Sequence, residues 1–232
     1  MRPVNHIKDG DALTDHKDAK SKLIEAMGEY CVYCERSVEA MHLHVEHIKP
    51  QKKHGRLALT WGNFLLACTS CNTYKRNYQG ANRQNGILRH QAWPHLDNTF
   101  SVYSYDQHGR VLASGPHRQM AQKTLDMAGL DRTPAIASSY QILGLVYDIT
   151  SRREKAWGKA QIALTAYEQN PTDVQLQSLL GQAEDTGFFS IWMSVFSNHS
   201  AVMAGLVAIF KASPACFDHL GNQRNPRQAG RI

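Results

Sequence analysis

The sequence predicts an α+β protein: a zinc-stapled ββα unit, then a β-hairpin, then a mainly α-helical C-terminal part. Three observations carry this. Two CxxC pairs, Cys31-Val32-Tyr33-Cys34 and Cys68-Thr69-Ser70-Cys71, bracket two short stretches of strand character. Phe100 to Tyr105 alternates as a strand does, and a polar Asp106-Gln107-His108-Gly109 link joins it to Arg110-Val111-Leu112. From His117 onward apolar residues recur at helical spacing.

In chain order, Asp18 to Met27 reads as a helix with Leu23, Ile24 and Met27 on one side, stopped by Gly28. Leu43 to Ile48 reads as a strand ended by Pro50, and a basic loop carries the chain to about Thr60. Phe64 to Ala67 forms the second strand, and Thr69 or Ser70 caps a helix running through Lys75. Residues 79–85 read as a loop. Helices are predicted over 117–128, 134–168, 173–183, 188–197 and 200–212, with Gly144 and Gly158 as weak points of the longest. The expected division is a helical lead over 1–28, the zinc-stapled module over 29–98, the hairpin and helical domain over 99–220, and a flexible tail over 221–232.

The 232 residues are 42% hydrophobic and 20% charged, which suits a folded chain rather than a disordered one. The net charge of +6 favours anionic partners. Phe188 to Phe210 holds no Asp, Glu, Lys or Arg, yet Ser190, Ser194, Ser197, Asn198, His199 and Ser200 interrupt it. Two buried helices meeting near Asn198 fit better than a membrane span. The start of the sequence has no apolar leader, which makes a cytoplasmic location the expectation.

Cys31, Cys34, Cys68 and Cys71 are spaced x2, x33 and x2. Each CxxC turn aims two thiolates at one ion, and Zn(II) takes four such ligands tetrahedrally. A closed four-cysteine site leaves no open position, so this zinc is expected to be structural. Between the pairs lie Glu46 and His47, then Asn63, and Asn72 follows Cys71 directly. A neutral histidine serves as a general base near neutral pH, and a hard divalent ion takes oxygen ligands such as a carboxylate and a side-chain amide. Adjacent strand residues face opposite sides, so Glu46 and His47 require a strand that twists or ends there.

These residues give the segment 31–77 its resemblance to the HNH endonucleases, the ββα-metal fold, with His47, Asn63 and Asn72 at the signature positions as an H-N-N variant. The resemblance implies that His47 is the general base, that Glu46 and Asn72 hold a catalytic Mg(II) or Mn(II), and that Asn63 holds the loop orienting His47. Many members carry Asp in place of Glu46 and His in place of Asn72, which bears on metal preference. DNA is the implied substrate, with Lys49, Lys52, Lys53, Arg56 and Lys75 as phosphate contacts. Oligomeric state, including a homo-oligomer, decides between nicking and double-strand cleavage. The layout is similar to the HNH subunits of Septu and retron-associated antiphage systems, which implies an ATPase partner. The sequence has no GxxxxGK[ST] motif, so ATP chemistry would belong to another chain. A competing reading is a non-catalytic zinc module that binds nucleic acid or protein; it would not need Glu46, His47 and Asn72 together.

Overall fold

The computed structural model describes residues 1–77, 91–133, 148–224, 226–227 and 230–232. Asp15 opens the chain's first turn through a reciprocal capping box with Asp18, and the 3-10 turn His16–Ala19 runs into α1, Lys20–Met27. Gly28, at φ +73°, ends that helix, and its N–H donates to Ile24. The expected start at Asp18 thus falls inside the capping turn.

Strands β1 (Leu43–His47) and β2 (Phe64–Cys68) pair antiparallel, from Leu43 opposite Cys68 to His47 opposite Phe64. Helix α2, Thr69–Asn77, leaves β2 without a linker and packs back on both strands. This is the predicted ββα unit. The long loop between the strands holds two 3-10 turns, Gly55–Leu57 and Trp61–Asn63. Trp61 is buried and its indole N–H donates to Asp11, so this loop packs onto the lead.

The hairpin is shorter than predicted: β3 is Tyr103–Tyr105 and β4 is Val111–Ala113. Phe100 instead turns its ring toward the helical core, against Phe189 and Phe217. Helices α3 (Arg118–Ala128), α4 (Ile149–Gln169), α5 (Asp173–Thr186), α6 (Phe189–Val195) and α7 (Ser200–Ile209) follow. Gly158 does not break α4. The predicted loop over 79–85 and the helical stretch 134–147, including Gly144, lie outside the described residues. The apolar Phe188–Phe210 stretch forms two helices as expected, but only α6 is largely buried, while α7 buries just Val202 and Leu206; no described helix is long and apolar enough to cross a membrane.

Two apolar clusters organise the packing. The first joins the lead, the ββα unit, Trp93, the hairpin, α3 and the start of α4, so it draws on both sides of the boundary expected at residue 98. The second is helical and centres on Phe189, Trp192, Phe196 and Phe210. They meet at Glu35, whose buried carboxylate accepts from the Ser190 hydroxyl at 2.7 Å and the Ser190 N–H at 3.0 Å. Gly187 makes the close approach there: a Cβ on it would lie 2.4 Å from the Ser37 nitrogen.

The tail departs from expectation. Residues 221–232 look polar enough for disorder, but Arg227 is buried and donates to the carbonyls of Pro94 and Val4. Arg231 pairs with Asp97, and Ile232 is buried in the first cluster. Polar residues that bury their charge against carbonyls and carboxylates look like a tail to composition alone.

Phe189 lies within 6 Å of three other rings, those of Phe100, Phe210 and Phe217. Phe189→Ala should cost about 3–5 kcal/mol through lost contact and the cavity left behind, read as a lowered urea midpoint. An unchanged midpoint would place the weight of the helical core elsewhere.

Candidate metal and nuclease centre

The four cysteines come from the turn before β1 and from the β2–α2 junction. Cys68 ends β2, Cys71 sits in the first turn of α2, and Val32 N–H donates to Leu66, which holds the first CxxC turn beside β2. All four are buried and reduced, and their sulfurs lie within 4.8 Å of one another. Four sulfurs at ~2.3 Å from one zinc stand ~3.8 Å apart, and the Cys34–Cys68 separation is 3.9 Å. The donor set fits zinc. Burial pushes the Cys31 and Cys34 thiols up, while hydrogen bonds from those two thiols hold Cys68 and Cys71 down. A dication here would release the remaining protons.

Arg132 adds a partner that sequence reasoning missed. Its guanidinium donates to Cys71 Sγ at 3.3 Å and to the Ala128 carbonyl at 2.9 Å, and it lies 4.8 Å from the Tyr74 ring centre. No local motif announces it, because Arg132 is distant in sequence and reaches the cluster through the packing of α3 on α2.

The second centre is a cleft of about 440 Å³ lined by Glu46, His47 and Asn72, together with His16, Lys52, Lys53, Lys75 and Arg76. Glu46 and His47 share it because β1 ends at His47, so strand alternation lapses there. His47 Nε2 lies 3.0 Å from the Ala58 carbonyl. A carbonyl only accepts, so Nε2 carries the hydrogen and Nδ1 keeps the lone pair.

Asn63 does not line the cleft. It is buried behind it, accepting from Lys49 N–H at 2.8 Å and donating to the Lys49 and Leu57 carbonyls at 3.1 Å each. These bonds close the ends of the loop. Leu57 precedes Ala58, so the Asn63 amide fixes the carbonyl that holds His47.

Lys75 differs from its sequence expectation as a surface phosphate contact. Its ammonium is buried, paired with the Glu46 carboxylate, and donates to the carbonyls of His47 at 2.8 Å and Ile48 at 3.2 Å. The Tyr33 hydroxyl donates to the same Glu46 oxygen at 3.4 Å. Among the predicted basic contacts, exposed Lys52 and Lys53 line the cleft, whereas Lys49 and Arg56 do not. His16 and Arg76 line it without having been singled out. His44 is exposed and does not line the cleft; its Nε2 lies 2.9 Å from the Thr69 hydroxyl at the start of α2. Burial, and then the neighbouring His47, push the His16 imidazole below its ordinary value.

The ββα unit with its four-cysteine cluster is the part of the chain that a known family matches. Residues 31–77 match the family described as HNH endonuclease. The chain is 31% identical over 125 residues to a Vibrio cholerae serotype O1 biovar El Tor protein named "Retron Vc95 putative HNH endonuclease". That alignment covers 50% of this chain and 58% of the relative. It is also 31% identical over 71 residues to Septu protein PtuB of Bacillus thuringiensis, covering 30% of this chain and 28% of that relative. In both cases less than two thirds of the relative is spanned.

Elemental analysis should find one zinc per chain, and Cys34→Ser should lose it and unfold at lower temperature. Arg132→Met should keep zinc but surrender it faster to a chelator, since a group hydrogen-bonded to a metal ligand typically carries about 10–100-fold in metal affinity. Equal release rates would leave Arg132 without a part in holding zinc. Asn63→Ala should cost about 1–3 kcal/mol through the buried groups it leaves unpaired. Hydrogen exchange should then rise in the loop 49–60, and unchanged protection there would contradict its role as the loop's tie.

Proposed function

We propose that this protein is a metal-dependent HNH endonuclease that hydrolyses DNA phosphodiester bonds. One observation carries the reading: Glu46, His47 and Asn72 line one cleft, and the His47 ring is held at Nε2 so that Nδ1 remains the basic nitrogen.

In this mechanism His47 takes the proton of the attacking water at Nδ1 while the phosphorus–oxygen bond to the leaving group breaks. The Ala58 carbonyl, itself steadied by Asn63, keeps the ring in the required tautomer and gains strength as the imidazolium forms. Glu46 and Asn72 would hold Mg(II) or Mn(II), oxygen-preferring ions that stabilise charge on the phosphate and the leaving oxygen when bound. The Glu46 oxygen engaged by Lys75 and Tyr33 is committed to the protein, which leaves the other carboxylate oxygen for the ion. Lys52 and Lys53 on the rim supply attraction for the phosphate backbone.

The likeness to proteins named for a retron and for Septu supports a place in antiphage defence. We assign this chain an ATPase partner on the same resemblance.

Purified protein on supercoiled plasmid with Mg(II) or Mn(II) should give nicked or linear DNA. His47→Ala and a chelated sample should not, with a fall of at least about 10²-fold expected for loss of a general base. If the isolated chain is silent, the assay repeats with any ATPase found encoded beside it. Silence there too, with zinc in place, would overturn the nuclease reading in favour of a binding module.

A further inference from the structure

We propose that His16 is a positioning residue of the nuclease centre that fixes the ring plane of His47 from outside the ββα unit. The proposal rests on the role of His47 given above. A single hydrogen bond from Nε2 to the Ala58 carbonyl sets one atom of the His47 ring, but it leaves the ring free to roll about the line from Cβ to Nε2. Two ring contacts restrict the roll. Phe64 meets His47 at 83° with centroids 5.2 Å apart, and His16 meets it at 53° with centroids 4.9 Å apart. Phe64 lies within the matched segment 31–77, whereas His16 comes from the lead, ahead of the first cysteine pair.

The His16 ring is itself held. Its Nδ1 lies 3.1 Å from Asp15 Oδ1, an oxygen that also accepts from Lys17 N–H at 2.9 Å. The Asp18 carboxylate closes the same turn, accepting from Asp15 N–H at 3.0 Å and the Thr14 hydroxyl at 3.1 Å. This reciprocal cap fixes the backbone that carries His16. An imidazole suits the position: one side packs on His47 and the other faces a polar, basic cleft. Because the His47 atom that takes the proton is Nδ1, a roll of the ring displaces the base itself, and a 1 Å misplacement costs on the order of 10²-fold in rate.

The test compares wild type, His16→Ala, His16→Phe and His47→Ala by steady-state nicking of plasmid and by nitrogen–proton spectra of the histidine rings. His16→Ala should lower kcat about 10- to 100-fold with KM unchanged, and His16→Phe, which rebuilds the wall without nitrogens, should recover most of it. In the spectra, the signal lost in His47→Ala identifies the ring. Wild type and His16→Phe should show it as a single Nε2–H tautomer, and His16→Ala should show mixed tautomers or exchange broadening. An unchanged His47 signal in His16→Ala overturns the proposal. So does full kcat in His16→Ala, or a His16→Phe protein as weak as His16→Ala, which would give the His16 nitrogen a chemical role instead. A wild-type protein that cuts no DNA removes the nuclease reading alone, since the ring spectra still decide whether His16 holds His47.

Discussion

The four-cysteine cluster is the constraint on which the rest depends. Two paired strands of five residues each are too little sheet to stand alone. The cluster ties the turn before β1 to the end of β2 and the first turn of α2, so the orientation of that helix is set by sulfur geometry. Asn72 follows Cys71 directly and therefore inherits its place from the cluster. Four thiolates on one dication leave a net charge of about −2 in a buried site, and the Arg132 guanidinium offsets part of it. That contact also ties the stretch after α3 to the ββα unit, which is how a distant arginine comes to support the cleft.

The buried pair of Lys75 and Glu46 has a different task. Removing two charges from water costs several kcal/mol each, so such a pair is weak evidence for stability. Its value here is positional. The ammonium also takes the carbonyls of His47 and Ile48 as acceptors, at the point where the β1–β2 ladder gives out. One side chain from α2 thus fixes the strand end and one oxygen of the carboxylate beside it. Adjacent residues on a regular strand could not serve one cleft; a strand end pinned in this way lets Glu46 and His47 do so.

The parts legible in the sequence were those written in local patterns. CxxC spacing gave the metal cluster, apolar runs ended by Pro50 and by Thr69 gave the strands and helix, and the serines and Asn198 within the apolar Phe188–Phe210 stretch separated α6 from α7. What stayed hidden depends on contacts distant in sequence. Lys75 looks like a surface cation because its Glu46 partner lies 29 residues upstream. Arg132 and Cys71 are 61 residues apart. The tail reads as disordered because Arg227 and Arg231 are satisfied by Pro94, Val4 and Asp97, which no window around residue 227 contains. Composition registers a polar side chain but not the buried acceptor waiting for it.

The cleft itself follows the same logic. His16 comes from the lead, Glu46 to Lys53 from β1 and its loop, Asn72 to Arg76 from α2, and Met127 from α3. The groups proposed for chemistry all belong to the ββα unit, while the lead and α3 contribute walls. Chemistry and shape therefore have separate origins. Contacts from Lys52 and Lys53 to phosphates would position a duplex without reading its bases. If this cleft distinguishes one DNA from another, the distinction has to come from the walls around the ββα unit, at positions other than His16 and Arg132, which hold the base and the cysteine cluster.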